Sequence, residues 1–167
     1  KVDFLVNSAG CYAEKPLAAI TEEDYNFILS NNLQSTIFLT KALLPLFKEG
    51  AAIVNVASDA GISGNYGCPL YSAAKGGVVA FSRSLALDLA PKIRVNCVCP
   101  GDVDTPLVAK QLAEGNYSKE EMAQVYPLGR IGRPEEIAHV ICSILSPLNG
   151  FMTGAVIPVD GGLTAKG

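Results

Sequence analysis

Apolar residues along the chain fall into short continuous runs separated by longer stretches of helical spacing. Val2, Phe4, Leu5 and Val6 form an almost unbroken run that ends in Asn7-Ser8-Ala9-Gly10, and such a run reads as a strand buried on both faces and closed by a tight turn. Thr21-Glu22-Glu23-Asp24 sets a capping hydroxyl ahead of first-turn acids, and the pattern predicts a helix onward to about Phe47. Ala51 to Ala57, AAIVNVA, is a second β-rich run. From Pro69 to about Leu89, the residues Tyr71, Ala74, Val78, Phe81, Leu85 and Leu89 recur at helical spacing. A second stripe on that helix, Ala73, Gly77, Ala80 and Ser84, is small. Small residues let another helix approach closely, so the helix is expected to meet a partner subunit as well as its own sheet.

Ile93 to Val98 gives a third strand, closed by Pro100-Gly101. A polar, irregular stretch from Asp102 to Gly132 follows, with one short helix announced by the capping box Ser118-Lys119-Glu120-Glu121. Arg133-Pro134-Glu135-Glu136 opens another helix, with Pro where the first turn tolerates it, and Ala155 to Val159 is the last strand. This order implies an α/β fold, a parallel sheet with right-handed crossovers and helices on both faces. No repeat or linker interrupts it, so residues 1–167 read as a single domain.

Composition narrows the function. With 49% hydrophobic and 17% charged residues the chain is an ordinary globular protein, and a net charge of −3 without a Lys/Arg run argues against a nucleic-acid partner. Apolar stretches are broken before the roughly eighteen residues a membrane span requires. No basic-then-apolar leader is visible, so a cytoplasmic protein is expected. Five cysteines, Cys11, Cys68, Cys97, Cys99 and Cys142, contain no CxxC pair and suggest buried thiols rather than disulfides or a metal site. Cys97 and Cys99 should share one strand face. Asn116-Tyr117-Ser118 matches a glycosylation sequon and is read as coincidence.

The stretch from Ser58 to Lys75, SDAGISGNYGCPLYSAAK, carries the chemistry. It sets a hydroxyl just past the second strand, and a Tyr and a Lys one helical turn apart on one face of the next helix. Ligands of open α/β sheets bind at such strand ends. A phenol with an ordinary pKa of about 10 is a poor acid or base at neutral pH. An ammonium roughly 5 Å away, at an effective dielectric near 20, contributes about 3 kcal/mol, or some two pKa units towards neutrality. Tyr71 would then be a usable proton donor. Taken alone, Tyr-x-x-x-Lys also occurs in helices whose Tyr is core and whose Lys snorkels outward.

Set beside NSAG at 7–10, NNLQST at 31–36, IVNVAS ending at Ser58, YSAAK at 71–75, IRVNCVCPGDVDTP at 93–106, GRIGRPEEIA at 129–138 and TGAVIPVDGG at 153–162, the chain resembles the short-chain dehydrogenase/reductases, in particular 3-oxoacyl-carrier-protein reductases. The resemblance runs from Val2 to Gly162 and implies a doubly wound Rossmann-type sheet. It implies hydride transfer between NAD or NADP and a small-molecule carbonyl or alcohol. Tyr71 matches the acid/base, Lys75 the residue that lowers the Tyr pKa and binds the nicotinamide ribose, Ser58 the hydroxyl that orients the substrate oxygen, and Asn32 the amide that holds a relay water behind the lysine. Val103 and Thr105, after Pro100-Gly101, match the loop that grips the carboxamide; Asn7, Ala9 and Gly10 match the turn on the cofactor's adenosine side.

The same resemblance makes residues 105–128 a substrate lid, with Leu107, Val108, Leu112, Met122 and Val125 either lining a pocket or packing the lid. It also suggests a homotetramer. His139, the only histidine, reads as a surface residue. The family's glycine-rich phosphate turn would lie upstream of NSAG, and no G-x-G-x-x-G follows a strand here. The opening strand is therefore expected to be the fourth of a seven-stranded sheet, in the C-terminal two thirds of a larger protein, with an uncovered apolar edge.

Two alternatives stand beside this reading. Ser72-x-x-Lys75 satisfies the S-x-x-K pattern of serine acyl-enzymes, but no Ser-Asp-Asn or Lys-Thr-Gly accompanies it. The other is a catalytically silent truncated module that keeps only oligomerisation surfaces.

Overall fold

Residues 1–115 and 117–166 are described by the computed structural model, so the sequon at Asn116 lies outside the described residues. Strands β1 (Val2–Asn7), β2 (Phe47–Val56), β3 (Ile93–Pro100) and β4 (Val156–Val159) form one parallel sheet in the order β1-β2-β3-β4. Helices α1 (Glu22–Leu29) and α2 (Ser35–Leu43) connect β1 to β2. The short α3 (Ala60–Ser63) and the long α4 (Pro69–Leu89) connect β2 to β3. Helices α5 (Pro106–Glu114), α6 (Lys119–Gln124) and α7 (Pro134–Leu145) lie between β3 and β4.

The sheet carries helices on both faces, as the sequence pattern implies. Leu5, Ile53 and Val95 pack with Ala86 of α4 on one side, while Val54 and Val98 pack with Ile137 and Ile144 of α7 on the other. Arg94 ties α7 to β3 by donating to the Ile144, Leu145 and Ser146 carbonyls at the helix end, where carbonyls lack intrahelical partners. A polar ladder crosses the sheet: Asn7 Nδ2 donates to Asn55 Oδ1 at 2.7 Å, and Asn55 Nδ2 to Ser82 Oγ at 2.8 Å.

β1 departs from the expectation of burial on both faces. Leu5 and Asn7 are buried, but Phe4 is 49% and Val6 39% exposed, because β1 is the sheet edge and its outer face carries no helix among the described residues. The helix expected from Thr21 to Phe47 begins with the anticipated capping box at Thr21 and Asp24. It is then interrupted by a π-helical turn at Ser30–Gln34 and ends in a 3-10 turn at Leu44–Leu46 that contains Pro45. β2 starts at Phe47 rather than Ala51.

α4 has the expected limits, with a different stripe. Tyr71, Ala74, Lys75, Val78, Ser82 and Ala86 are its buried residues; Phe81, Leu85 and Leu89 are half-buried. In the small stripe Gly77 faces Leu33 of the same chain, while Ala73, Ala80 and Ser84 are exposed. The stretch 102–132 contains two helices, not one. α6 has its capping box at Ser118 and Glu121, whereas α5 starts at Thr105 without a side-chain cap and so leaves no capping signature in the sequence. Cys97 and Cys99 share one buried face, with their sulfurs 4.0 Å apart.

Candidate active site

The C-terminal ends of β1, β2 and β3 open into a cleft of about 1260 Å³. Ser58 reaches it from the end of β2, Tyr71 and Lys75 from the first turns of α4, Asn32 from the π-helical turn and Gly10 from the turn after β1. Pro100, Gly101, Val103 and Thr105 line it from the segment after β3. Parallel strands deliver all their C-terminal ends to one edge, so residues far apart in the sequence converge there.

Tyr71 is buried, and its ring meets Tyr12 edge-on at 5.0 Å. Lys75 is buried beside it, with Nζ 5.8 Å from the Tyr71 ring centroid and donating to the Val56 carbonyl at 3.1 Å. Burial pushes the Tyr71 phenol up to about 12, with Asp59, Cys68 and Asp102 adding to the rise and the Ser58 hydroxyl opposing it. The lowered phenol expected from the Tyr-Lys spacing is thus not present. Taking a phenolate out of water costs more than a lysine returns when its ammonium is committed to a backbone carbonyl. Burial also lowers the Lys75 pKa, against the opposing influence of Cys97, Cys11 and Cys99.

Ser58 Oγ donates to Asp59 Oδ1 at 2.8 Å and accepts from the Ala60 N–H at 3.2 Å. Asn32 is buried, and its amide works at both ends. Nδ2 donates to the Cys11 carbonyl at 3.0 Å and to the Ile28 carbonyl at 2.9 Å, while Oδ1 accepts from the Cys11 N–H at 3.2 Å. Single-turn π insertions of this kind occur frequently at functional sites. Here the turn carries Asn32, the residue matched to the relay-water amide, against the segment after β1.

Gly10 lies close to both Asn32 and Lys75, and a Cβ there would stand 2.7 Å from Asn32 Oδ1 and 3.3 Å from Lys75 Nζ. Gly101 is similarly constrained, since its Cβ would fall 2.7 Å from Tyr126 Cε1. At both points the backbone is packed against cleft side chains too closely for a Cβ to be admitted without displacement. Of the residues matched to the adenosine side, Gly10 lines the cleft, but Ala9 does not and Asn7 is turned inward to Thr40 and Asn55.

Several lining groups escaped the sequence reading. Asp59 is buried beside Ser58. Asp102 accepts from the Tyr126 hydroxyl at 2.8 Å, and its own N–H donates to the same oxygen at 2.7 Å. Burial raises the pKa of both carboxyls. An acid at the close of an apolar strand, next to a hydroxyl, is the one sequence signal that marks Asp59. Val108 and Met122 are buried with Tyr126 and Ile131, with Leu112 against them; Leu107 and Val125 are largely exposed at the cleft. His139 is exposed on α7 and does not line the cleft.

The residues present fit the nicotinamide-ribose part of a dinucleotide. A buried ammonium and a phenol lie together on a cleft that the Gly10 and Gly101 backbone also borders.

A family model described as enoyl-(acyl carrier protein) reductase matches residues 1–164. With that match and this site, the chain belongs to the short-chain dehydrogenase/reductase family. The 3-oxoacyl-[acyl-carrier-protein] reductase FabG of Thermotoga maritima is 39% identical over 166 residues, which are 98% of this chain and 66% of that protein. A short-chain dehydrogenase/reductase of Brucella melitensis, described as a glucose/ribitol dehydrogenase, superposes with a TM-score of 0.90 at 42% identity, over 97% of this chain and 65% of that one. ElxO, solved with NADP bound, superposes with a TM-score of 0.88 at 29% identity, over 99% of this chain and 68% of that one. The chain thus spans 66% of the length of the curated relative.

Proposed function

We propose that the protein is an oxidoreductase that moves a hydride between NAD(H) or NADP(H) and a small-molecule carbonyl/alcohol pair, with Tyr71 as general acid/base. The observation that carries this reading is the convergence of Ser58, Tyr71 and Lys75 on one cleft at the strand ends. The bound NADP of ElxO supports the cofactor class. A bound nicotinamide supplies the hydride at its C4. Lys75, Tyr71, Gly10, Val103 and Thr105 would hold its ribose and carboxamide end.

Tyr71, protonated at neutral pH like any phenol, gives its proton in the direction of reduction to the oxygen left on the substrate. Lys75 then stands beside the phenolate as the compensating charge. Ser58 orients the same oxygen. Asn32 ties the Cys11 backbone to the helix behind Lys75 and so fixes the wall of the site. In this reading residues 105–128 form a lid over the substrate, with Gly115 as its flexible point. The exposed Ala73, Ala80 and Ser84 stripe supports a homo-oligomer, with a tetramer as the assembly proposed.

A second reading is a catalytically silent module that retains only assembly surfaces, for which the exposed Ala73, Ala80 and Ser84 stripe is a candidate. Both are tested by following NADH and NADPH absorbance with a 3-oxoacyl thioester and with an aldose, alongside fluorescence titration of each cofactor. Carbonyl-dependent cofactor oxidation supports the oxidoreductase. Absence of cofactor binding below millimolar concentration, in a protein that still self-associates in sedimentation, supports the silent module.

A further inference from the structure

Asp102, which follows Pro100-Gly101 at the end of β3, is held by three of its polar groups to the stretch of chain after α6. Its N–H donates to Tyr126 Oη at 2.7 Å, and its carboxylate accepts from the same hydroxyl at 2.8 Å. Its carbonyl accepts from the Gly132 N–H at 2.8 Å. The Tyr126 hydroxyl thus donates to and accepts from a single residue.

The ring that carries this hydroxyl is closely packed. Tyr126 is 5% exposed and lies among Val108, Met122 and Ile131. Gly101 and Gly161 both run against it, where an added Cβ would stand 2.7 Å from Cε1 and 3.4 Å from Cδ1 respectively. On the far side of Asp102, Val103 pairs with Gly132 in a short parallel bridge, and Thr105 Oγ1 donates to the Val103 carbonyl at 3.1 Å. Val103 and Thr105 line the cleft, so the cleft-facing segment is anchored from behind through Asp102.

We propose that Tyr126 is a positioning residue for the nicotinamide: its hydroxyl, acting through Asp102, fixes the segment 102–105 where Val103 and Thr105 meet the carboxamide. This rests on the reading of that segment as the grip on the cofactor given above. Without the hydroxyl, the Asp102 N–H and carboxylate lose their shared partner, and the segment divides its time between the present position and others. A ligand that needs the present position then binds more weakly, in proportion to the time lost from it. The loss is confined to the part of the ligand that the segment touches.

The experiment is Tyr126→Phe, which keeps the ring, in the protein that carries this chain. Amide hydrogen exchange at Asp102 should quicken about tenfold, while Cys97 in the body of β3 is unchanged. Fluorescence titration should show NADH or NADPH, whichever the parent binds more tightly, held about tenfold more weakly. The matching ADP-ribose or 2′-phospho-ADP-ribose, which carries no nicotinamide, should compete equally well for parent and variant. Asp102→Ala leaves ring and hydroxyl in place and removes one of the two bonds, so it should weaken the nicotinamide cofactor by a smaller factor. Asp102→Asn, whose side-chain oxygen still accepts from Tyr126, should restore affinity close to that of the parent.

Unmoved cofactor affinity in Tyr126→Phe, or in Asp102→Ala should the first variant not fold, would overturn the proposal. So would a loss shared by the nicotinamide-free ligand, or exchange at Cys97 quickened as much as at Asp102, since either would make the hydroxyl a support of the whole fold. A parent that binds neither cofactor contradicts the functional reading itself, and the proposal falls with it.

Discussion

Lys75 gives its ammonium to the carbonyl of Val56 at 3.1 Å, and that single bond anchors the first turns of α4 to the end of β2. The lysine therefore holds the helix that bears Tyr71 against the strand that delivers Ser58, while its charge stands 5.8 Å from the phenol ring.

Replacing Lys75 by Met keeps the length of the side chain and removes both the charge and the donor. The buried ammonium is costly to desolvate, and the Val56 carbonyl loses a partner worth about 1 kcal/mol, so the two changes nearly offset. Urea unfolding should show a change within about 1 kcal/mol, whereas turnover should fall by at least about 100-fold because the phenolate loses its compensating charge. Retained turnover in a stable Lys75→Met protein would remove the lysine from the mechanism.

Gly61 marks the closest approach between α3 and α4. A Cβ at this position would stand 2.7 Å from the Lys75 carbonyl carbon and 2.9 Å from the Gly76 nitrogen, both backbone atoms that cannot swing aside. Gly61→Ala should therefore cost about 1–3 kcal/mol, read as a lower urea midpoint with an unchanged slope. It should also lower turnover by moving Lys75. A variant as stable as the parent would show that the two helices separate freely.

Asn55 is fully buried at the centre of the sheet, donating to Ser82 at 2.8 Å and accepting from Asn7 at 2.7 Å. Asn55→Ala removes both partners at once and strands polar groups on β1 and α4. A loss of about 1–3 kcal/mol in denaturant unfolding is expected, since a buried group left unpaired costs more than an average hydrogen bond contributes. No measurable loss would mean that the ladder is replaced by water.

Acid should weaken the anchor of α7. Arg130 grips Glu136 with both guanidinium nitrogens, at 2.7 and 2.8 Å, and holds its carboxyl at about 2 against an ordinary 4.5. A folded-state pKa below the unfolded one gives stability that is full above the unfolded value and is lost as pH falls through the folded one. Thermal unfolding between pH 4.5 and about 2 should therefore show a steeper loss for the parent than for Glu136→Gln, and salt should shrink the difference because the pair is exposed. Equal slopes for parent and variant would contradict this.

Strand order and the limits of α4 were legible because apolar runs and helical spacing are local signals. The positions of Ser58, Tyr71 and Lys75 were legible because strand ends and a helix start fix them. Two features were not. The π-helical turn at Asn32 follows from tertiary contact with Cys11. The behaviour of Tyr71 was misjudged in sign, because spacing shows that a lysine is near and says nothing of the Val56 carbonyl that claims it or of the depth of burial.

The central claim is that the Tyr71 phenol transfers the proton. It is tested most directly by replacing Tyr71 with Phe in the protein that carries this chain, and comparing carbonyl-dependent NAD(P)H oxidation with cofactor binding in the same preparation. The account predicts turnover reduced by at least about 100-fold with cofactor affinity close to that of the parent. Turnover within a few-fold of the parent would contradict it.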